Sequence, residues 1–100
     1  MEKIDSQNCK VHVLICTNEK PTPKVCCQKV GGQDFYLRIK TKLKETGLVA
    51  THWATRTGCL GFCNDVGTTV TIYAQGKPAR WYNEVTQEDF DFIWGEIVRE

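Results

Sequence analysis

The sequence predicts an α/β fold, in which two main helices pack against a mixed four-stranded sheet as a two-layer sandwich. Two observations support this prediction. Segments of strand length are rich in β-branched residues, and two longer segments repeat apolar residues at helical spacing. The chain has 100 residues, of which 41% are hydrophobic and 25% are charged, so one globular domain is expected. We place this domain at residues 10–100, after an N-terminal tail at residues 1–9.

The first half of the chain predicts a β-α-β unit. Residues 10–16 alternate and are rich in β-branched side chains, which indicates a strand. Residues 19–32 contain two prolines and end in two glycines, so a long loop is expected there. Residues 33–47 repeat apolar side chains every four positions before Gly47, which predicts a helix that stops at a glycine. Residues 48–54 are predicted to form the second strand, and residues 55–67, with Cys59 and Cys63, a glycine-containing loop.

The second half predicts a β-hairpin followed by a closing helix. Residues 68–76 and 79–85 are rich in β-formers and flank a turn that contains glycine and proline. Thr86 is followed three positions later by Asp89, a pattern typical of a capping box at the start of a helix. The complete order is β-α-β-β-β-α, and the first two strands are expected to be parallel, with a right-handed crossover.

Cysteines carry the main functional signal. They are Cys9, Cys16, Cys26, Cys27, Cys59 and Cys63. Adjacent parallel strands place their carboxyl ends at one edge of a sheet, so Cys16 and the two later cysteine-bearing loops are expected to converge. Four thiolates there suit zinc or an iron–sulfur cluster. Nine residues separate Cys16 from Cys26, ten separate it from Cys27, and three separate Cys59 from Cys63. These intervals differ from the usual zinc spacing and favour a cluster.

Composition argues against several other functions. A formal net charge of +1, without a block of five like charges, predicts no general affinity for nucleic acid. The longest clearly apolar run, Val13 to Cys16, is too short to span a membrane, and residues 1–10 lack the apolar core of a signal peptide. We therefore expect a cytoplasmic protein, and structural disulfides are rare in that compartment. Cys9 and one of the adjacent pair Cys26 and Cys27 are interpreted as small buried hydrophobic residues.

Four stretches together resemble the thioredoxin-like [2Fe–2S] ferredoxin family. They are, in chain order, "VLICTNEKP", "VCCQKVGG", "RTGCLGFC" and "VTIYAQGKPARWYNEVTQEDFDFI". The third is the most specific, because it is similar to the family's Thr-Gly-Cys-Leu-Gly-x-Cys pattern. The resemblance runs from roughly Val11 to Val98 and implies a thioredoxin-like sandwich.

The resemblance also implies a ligand set and a function. Cys16, Cys26, Cys59 and Cys63 would bind a [2Fe–2S] cluster, and the protein would carry single electrons to or from a reductase or dehydrogenase without being an enzyme itself. Cys26 is preferred over Cys27 because the Cys-Gln pair after it is similar to the family's small residue and glutamine, but both stay open. A homodimer is implied as well. The first loop is about two residues shorter than in the family and lacks its Gly-Ser pair.

Three alternatives remain at this point. A zinc-binding structural or interaction module could use the same four cysteines. A thiol–disulfide oxidoreductase is less favoured, because no Cys-x-x-Cys pair opens the first helix. A ferredoxin fold that has lost its cluster is the third alternative. Of the tryptophans, Trp94 is predicted to pack in the core and Trp81, in the hairpin, is the candidate contact for a partner.

Overall fold

The predicted sandwich of two helices and four strands is confirmed. The computed structural model describes residues 1–3, 8–17, 31–58 and 67–99. In chain order, the elements are β1 (Val11–Cys16), α1 (Gly32–Glu45), β2 (His52–Thr57), β3 (Thr68–Ala74), β4 (Arg80–Val85), a 3₁₀ turn (Gln87–Asp89) and α2 (Phe90–Val98). The strands lie in the order β2-β1-β3-β4, with β1 and β2 parallel and the other pairs antiparallel.

The helices and the sheet share one hydrophobic core. Each strand or helix contributes residues at its own period, every second position in β1 and every fourth in α1. The principal members are Val11, Val13 and Ile15 of β1, Phe35, Ile39 and Leu43 of α1, Val70, Ile72 and Ala74 of β3, and Phe90, Ile93 and Ile97 of α2. Burial of a large apolar side chain stabilises the fold by about 1.5–3 kcal/mol. Val98 of α2, by contrast, is 41% exposed.

The connection from α1 to β2 corrects one predicted boundary. Gly47 adopts the left-handed conformation, with φ of 72°, and the Leu48 amide donates to the Leu43 carbonyl at 2.9 Å, which ends the helix as predicted. The amides of Thr51 and His52 then both donate to the Leu48 carbonyl. Because these bonds close a turn, residues 48–51 are not extended, and β2 runs over His52–Thr57 rather than over residues 48–54.

Strand β4 contains a bulge that shapes its contact with β3. Thr68 pairs with Val85 and Val70 pairs with Tyr82, so one residue of β3 lies opposite two residues of β4. Glu84, one of these two, has φ of 55°, in the left-handed region that non-glycine residues seldom occupy. The bulge brings the β4 backbone very close to Gly67, the residue before β3.

Helix α2 is held at both ends. The predicted capping box is present, since the Thr86 amide donates to Asp89 Oδ2 at 2.9 Å. The first turn after Thr86 is a 3₁₀ turn, and the α-helix itself begins at Phe90. Near the other end, the Arg80 guanidinium donates to the Glu96 carboxylate and so links β4 to α2. Neither helix in the described part of the chain has the length and apolar character that a membrane span requires.

The burial of His52 leads us to expect that the stability of the fold depends on pH. Burial, with a smaller contribution from the positive charge of Lys10, lowers the pKa of His52 below its ordinary value of about 6.5. As the pH falls below about 6.5, the unfolded chain binds the proton before the folded chain does, so the free energy of unfolding decreases. We expect the free energy of unfolding, measured by urea denaturation, to decrease less in His52→Leu than in the wild-type protein between pH 7.5 and 5.5. An equal decrease in unfolding free energy in the two proteins would show that His52 does not cause the pH dependence.

Candidate metal centre

Cys16 lies where the two parallel strands end together. It is the last residue of β1, pairs in register with Thr57, the last residue of β2, and is 1% exposed. The Thr17 amide continues the pairing by donating to the Thr57 carbonyl at 3.1 Å. The parallel arrangement of the first two strands, from which the convergence of the cysteine loops was predicted, is therefore confirmed.

The Cys16 sulfur also contacts Gly58, the residue before the second cysteine-bearing segment, residues 59–66. Its thiol donates to the Gly58 carbonyl at 3.2 Å. Gly58 follows β2 and is bonded directly to Cys59. Thr57 Oγ1 donates to the same carbonyl at 2.9 Å, which adds a second contact at this point. The chain thus enters residues 59–66 within hydrogen-bond distance of Cys16.

Thr68, two residues after the same segment, also contacts Cys16. Thr68 is fully buried, and its hydroxyl donates to the Cys16 carbonyl at 2.6 Å. Gly67 precedes it and is also buried, against the bulge of β4. Gly58, before residues 59–66 in the chain, and Thr68, after them, therefore both contact Cys16.

Gly31, the first described residue after residues 18–30, is held by contacts with two elements. Gly31 precedes α1 with φ of 93°, and its carbonyl accepts from the Phe35 amide at 2.9 Å and from Gln87 Nε2 at 3.2 Å. Arg38 in turn donates to Gln87 Oε1 at 2.9 Å. These contacts tie the start of α1 to the 3₁₀ turn that precedes α2. At the other end of residues 18–30, Thr17 follows the Cys16–Thr57 pair that ends β1.

Only one member of the predicted ligand set falls within the described residues. Cys16 is that member; Cys26, Cys59 and Cys63, together with the alternative Cys27, lie outside them. Within residues 1–3, 8–17, 31–58 and 67–99, no three His, Cys, Asp or Glu side chains come together as a metal site would require. A buried thiol where two parallel strands end together suits a soft metal, so the observed donor fits an iron–sulfur cluster or zinc.

Cys9 is separate from this site. It precedes β1, whereas Cys16 ends it, so the two are roughly 20 Å apart along the strand. Its thiol donates to the Val11 carbonyl at 3.4 Å, and burial raises the pKa of the Cys9 thiol. Cys9, interpreted from the sequence as a small buried hydrophobic residue, is partly buried. A raised pKa disfavours the thiolate that metal binding needs.

Two residues of the site were missed by the sequence analysis. Thr68 appeared there only as a β-branched strand residue, because nothing in its neighbours reveals a contact with Cys16. Gly67 offered a signal, since a glycine at the start of a strand can mark close backbone approach. Trp94 packs partly buried against the core, as predicted, and Trp81 is 49% exposed.

Comparison with solved structures identifies the family. The wild-type thioredoxin-like [2Fe–2S] ferredoxin from Aquifex aeolicus superposes with a TM-score of 0.73 at 28% sequence identity, over 91% of this chain and 87% of that chain. A second structure of a ferredoxin with that description, from the same organism, gives a TM-score of 0.69 at 30% identity, over 85% of this chain and 76% of that one. This chain belongs to the thioredoxin-like [2Fe–2S] ferredoxin family. The resemblance drawn from the four sequence stretches is thereby confirmed.

Variants of the same ferredoxin also match this chain. A cysteine-to-serine variant of the Aquifex ferredoxin also matches, with a TM-score of 0.70 at 28% identity. No family model matches the sequence, and no curated protein matches it. As a ferredoxin-family member, the chain has the fold of electron carriers, and its residue-level ligand set remains a prediction.

Proposed function

We propose that this protein carries single electrons on a [2Fe–2S] cluster bound by Cys16, Cys26, Cys59 and Cys63. The observation that supports this most directly is the placement of Cys16. Its buried sulfur lies 3.2 Å from the carbonyl of Gly58, the residue before Cys59, in a chain that belongs to a ferredoxin family. The same placement supports Cys59 as a neighbouring ligand, since consecutive Cα atoms are only about 3.8 Å apart.

The chain contributes position and environment to this function. A bound [2Fe–2S] cluster supplies one-electron redox chemistry. Cys16 is held by strand pairing on one side and by the Thr68 hydroxyl on its carbonyl. Its neighbour Ile15 is fully buried, so the strand end is shielded from water. Low exposure and hydrogen bonds near the sulfurs are two means by which a protein sets a reduction potential.

Redox partners complete the proposal. A carrier of this kind takes an electron from a reductase or dehydrogenase and delivers it to another protein, or serves as a redox subunit of a larger enzyme. Trp81 is the proposed contact residue, because exposed tryptophans are enriched at protein interfaces. We propose a homodimer as the solution state, which analytical ultracentrifugation of the cluster-loaded protein measures directly.

The visible absorption spectrum tests the proposal. We expect anaerobically purified protein to show broad bands between roughly 400 and 600 nm that bleach with dithionite. Iron and sulfide should each be present at two per chain, and a redox titration should consume one electron. A colourless protein with one zinc per chain would support the structural zinc module instead. A colourless protein without metal, made where cluster assembly is ample, would indicate that the fold has lost its cluster.

The second ligand is identified by comparing two serine variants. We expect Cys26→Ser to lose most of the visible absorbance or to shift its bands, because a serine hydroxyl is a poor ligand for iron beside a thiolate. Cys27→Ser should retain the wild-type spectrum and serves as the matched control. The reverse result would assign the ligand to Cys27 while leaving the electron-carrier function intact.

A further inference from the structure

We propose that Thr68 is a positioning residue for the cluster site. Its hydroxyl holds the Cys16 carbonyl and thereby orients the Cys16 sulfur towards the second cysteine-bearing segment. This inference rests on the proposed function, since it concerns how the chain arranges a cluster ligand. It assigns a redox-tuning role to a residue of β3 that carries no metal-binding group.

The hydroxyl acts where regular strand pairing stops. The antiparallel pairing of β1 with β3 ends at Ile15 and Val70, one residue before Cys16. Thr68 Oγ1 then donates to the Cys16 carbonyl at 2.6 Å, from a side chain that is fully buried. A short hydrogen bond out of contact with water is a strong restraint, because its loss leaves a buried acceptor unsatisfied. The side chain therefore continues the attachment of β1 to β3 as far as the ligand.

Thr68 is itself anchored from its other side. Its backbone pairs with Val85 of β4, and the preceding Gly67 is packed against the β4 bulge. A β-branched side chain has few χ1 rotamers, so a fixed backbone fixes the hydroxyl as well. Cys16 is consequently held through its carbonyl by Thr68, a contact that does not involve the sulfur and therefore persists when the thiolate binds metal.

A neighbouring threonine provides a matched control. Thr69 is 2% exposed, and its hydroxyl donates to Asn83 Oδ1 of β4 at 3.0 Å rather than to Cys16. Thr68→Val and Thr69→Val each remove one hydroxyl from a buried position of the same strand. A purely structural effect should appear in both variants, whereas an effect on the ligand should appear only in Thr68→Val.

The test measures the cluster itself in the purified holoprotein. For Thr68→Val we expect a changed visible circular dichroism spectrum, a shifted reduction potential and roughly tenfold faster cluster loss to an iron chelator. Thr69→Val should keep the wild-type spectrum and potential even where its melting temperature falls. If Thr68→Val does not fold, Thr68→Ser and Thr68→Ala replace it, since they differ only by the hydroxyl. We then expect Thr68→Ser to resemble wild type and Thr68→Ala to show the altered potential.

The outcomes separate this inference from the function on which it depends. Wild-type protein without a cluster overturns both proposals. A wild-type cluster whose spectrum and potential are unchanged in Thr68→Val, or in Thr68→Ala against Thr68→Ser, overturns the role of Thr68 alone. Equal changes in Thr68→Val and Thr69→Val also overturn it, because they would report only a loss of stability.

Discussion

Replacing Cys16 with serine should remove most of the cluster from this protein. Serine has nearly the same shape, so the buried end of β1 should still fold, but its hydroxyl stays protonated where a thiolate is needed. A neutral oxygen is a poor ligand for iron among thiolates. We expect visible absorbance per chain to fall roughly tenfold, with iron and sulfide falling in parallel. Absorption spectra and iron and sulfide analysis of anaerobically prepared protein measure the loss of cluster.

Cys9→Ser is the matched control for this prediction. Cys9 precedes the same strand but lies at its opposite end, and burial raises the pKa of its thiol. We expect Cys9→Ser to retain the full wild-type spectrum. A Cys16→Ser protein with unchanged absorbance and two irons per chain would exclude Cys16 as a ligand. Loss of colour in Cys9→Ser alone would move the site to the other end of β1.

The features that follow from local sequence were predicted well. Gly47 ends α1 because a left-handed residue there needs no side chain, and the capping box of Thr86 and Asp89 is visible from their spacing. The position of Cys16 followed from one topological rule, that a helix crossover joins parallel strands whose carboxyl ends meet. The rule correctly gave β1 and β2 as parallel strands, and Cys16 lies within 3.2 Å of the Gly58 carbonyl where they end.

The features that depend on distant contacts could not be predicted. The start of β2 was placed four residues early because Leu48 and Val49 suit a strand, while the bonds that close the turn run through backbone carbonyls. The hydroxyl of Thr68 meets a carbonyl 52 positions away in the chain, and no periodicity encodes such a pair. The bulge at Glu84 likewise follows from the alignment of β3 with β4.

Gly67→Ala should be among the most destabilising single substitutions in the described part of the chain. A Cβ built on Gly67 would lie 2.3 Å from the Val85 carbonyl oxygen and 2.6 Å from the carbonyl carbon of Glu84. These are backbone atoms, which cannot rotate away as the end of a flexible side chain can. Strand β4 would have to move from β3, so we expect a loss of about 3 kcal/mol in the free energy of unfolding, the upper range for overpacking. Urea denaturation followed by circular dichroism measures it.

The same substitution at Gly95 should stabilise the protein rather than destabilise it. Gly95 lies within α2, and a Cβ there would meet no atom within 4 Å. Alanine is the better helix former, so Gly95→Ala should stabilise the protein by about 0.5–1 kcal/mol. One added methyl group thus distinguishes close strand packing from an open helix surface. A Gly67→Ala protein within about 0.5 kcal/mol of wild type, the range of ordinary surface substitutions, would mean that β4 yields easily beside the second cysteine-bearing segment. The Thr68 hydroxyl would then lack the rigid support on which its proposed hold on Cys16 depends.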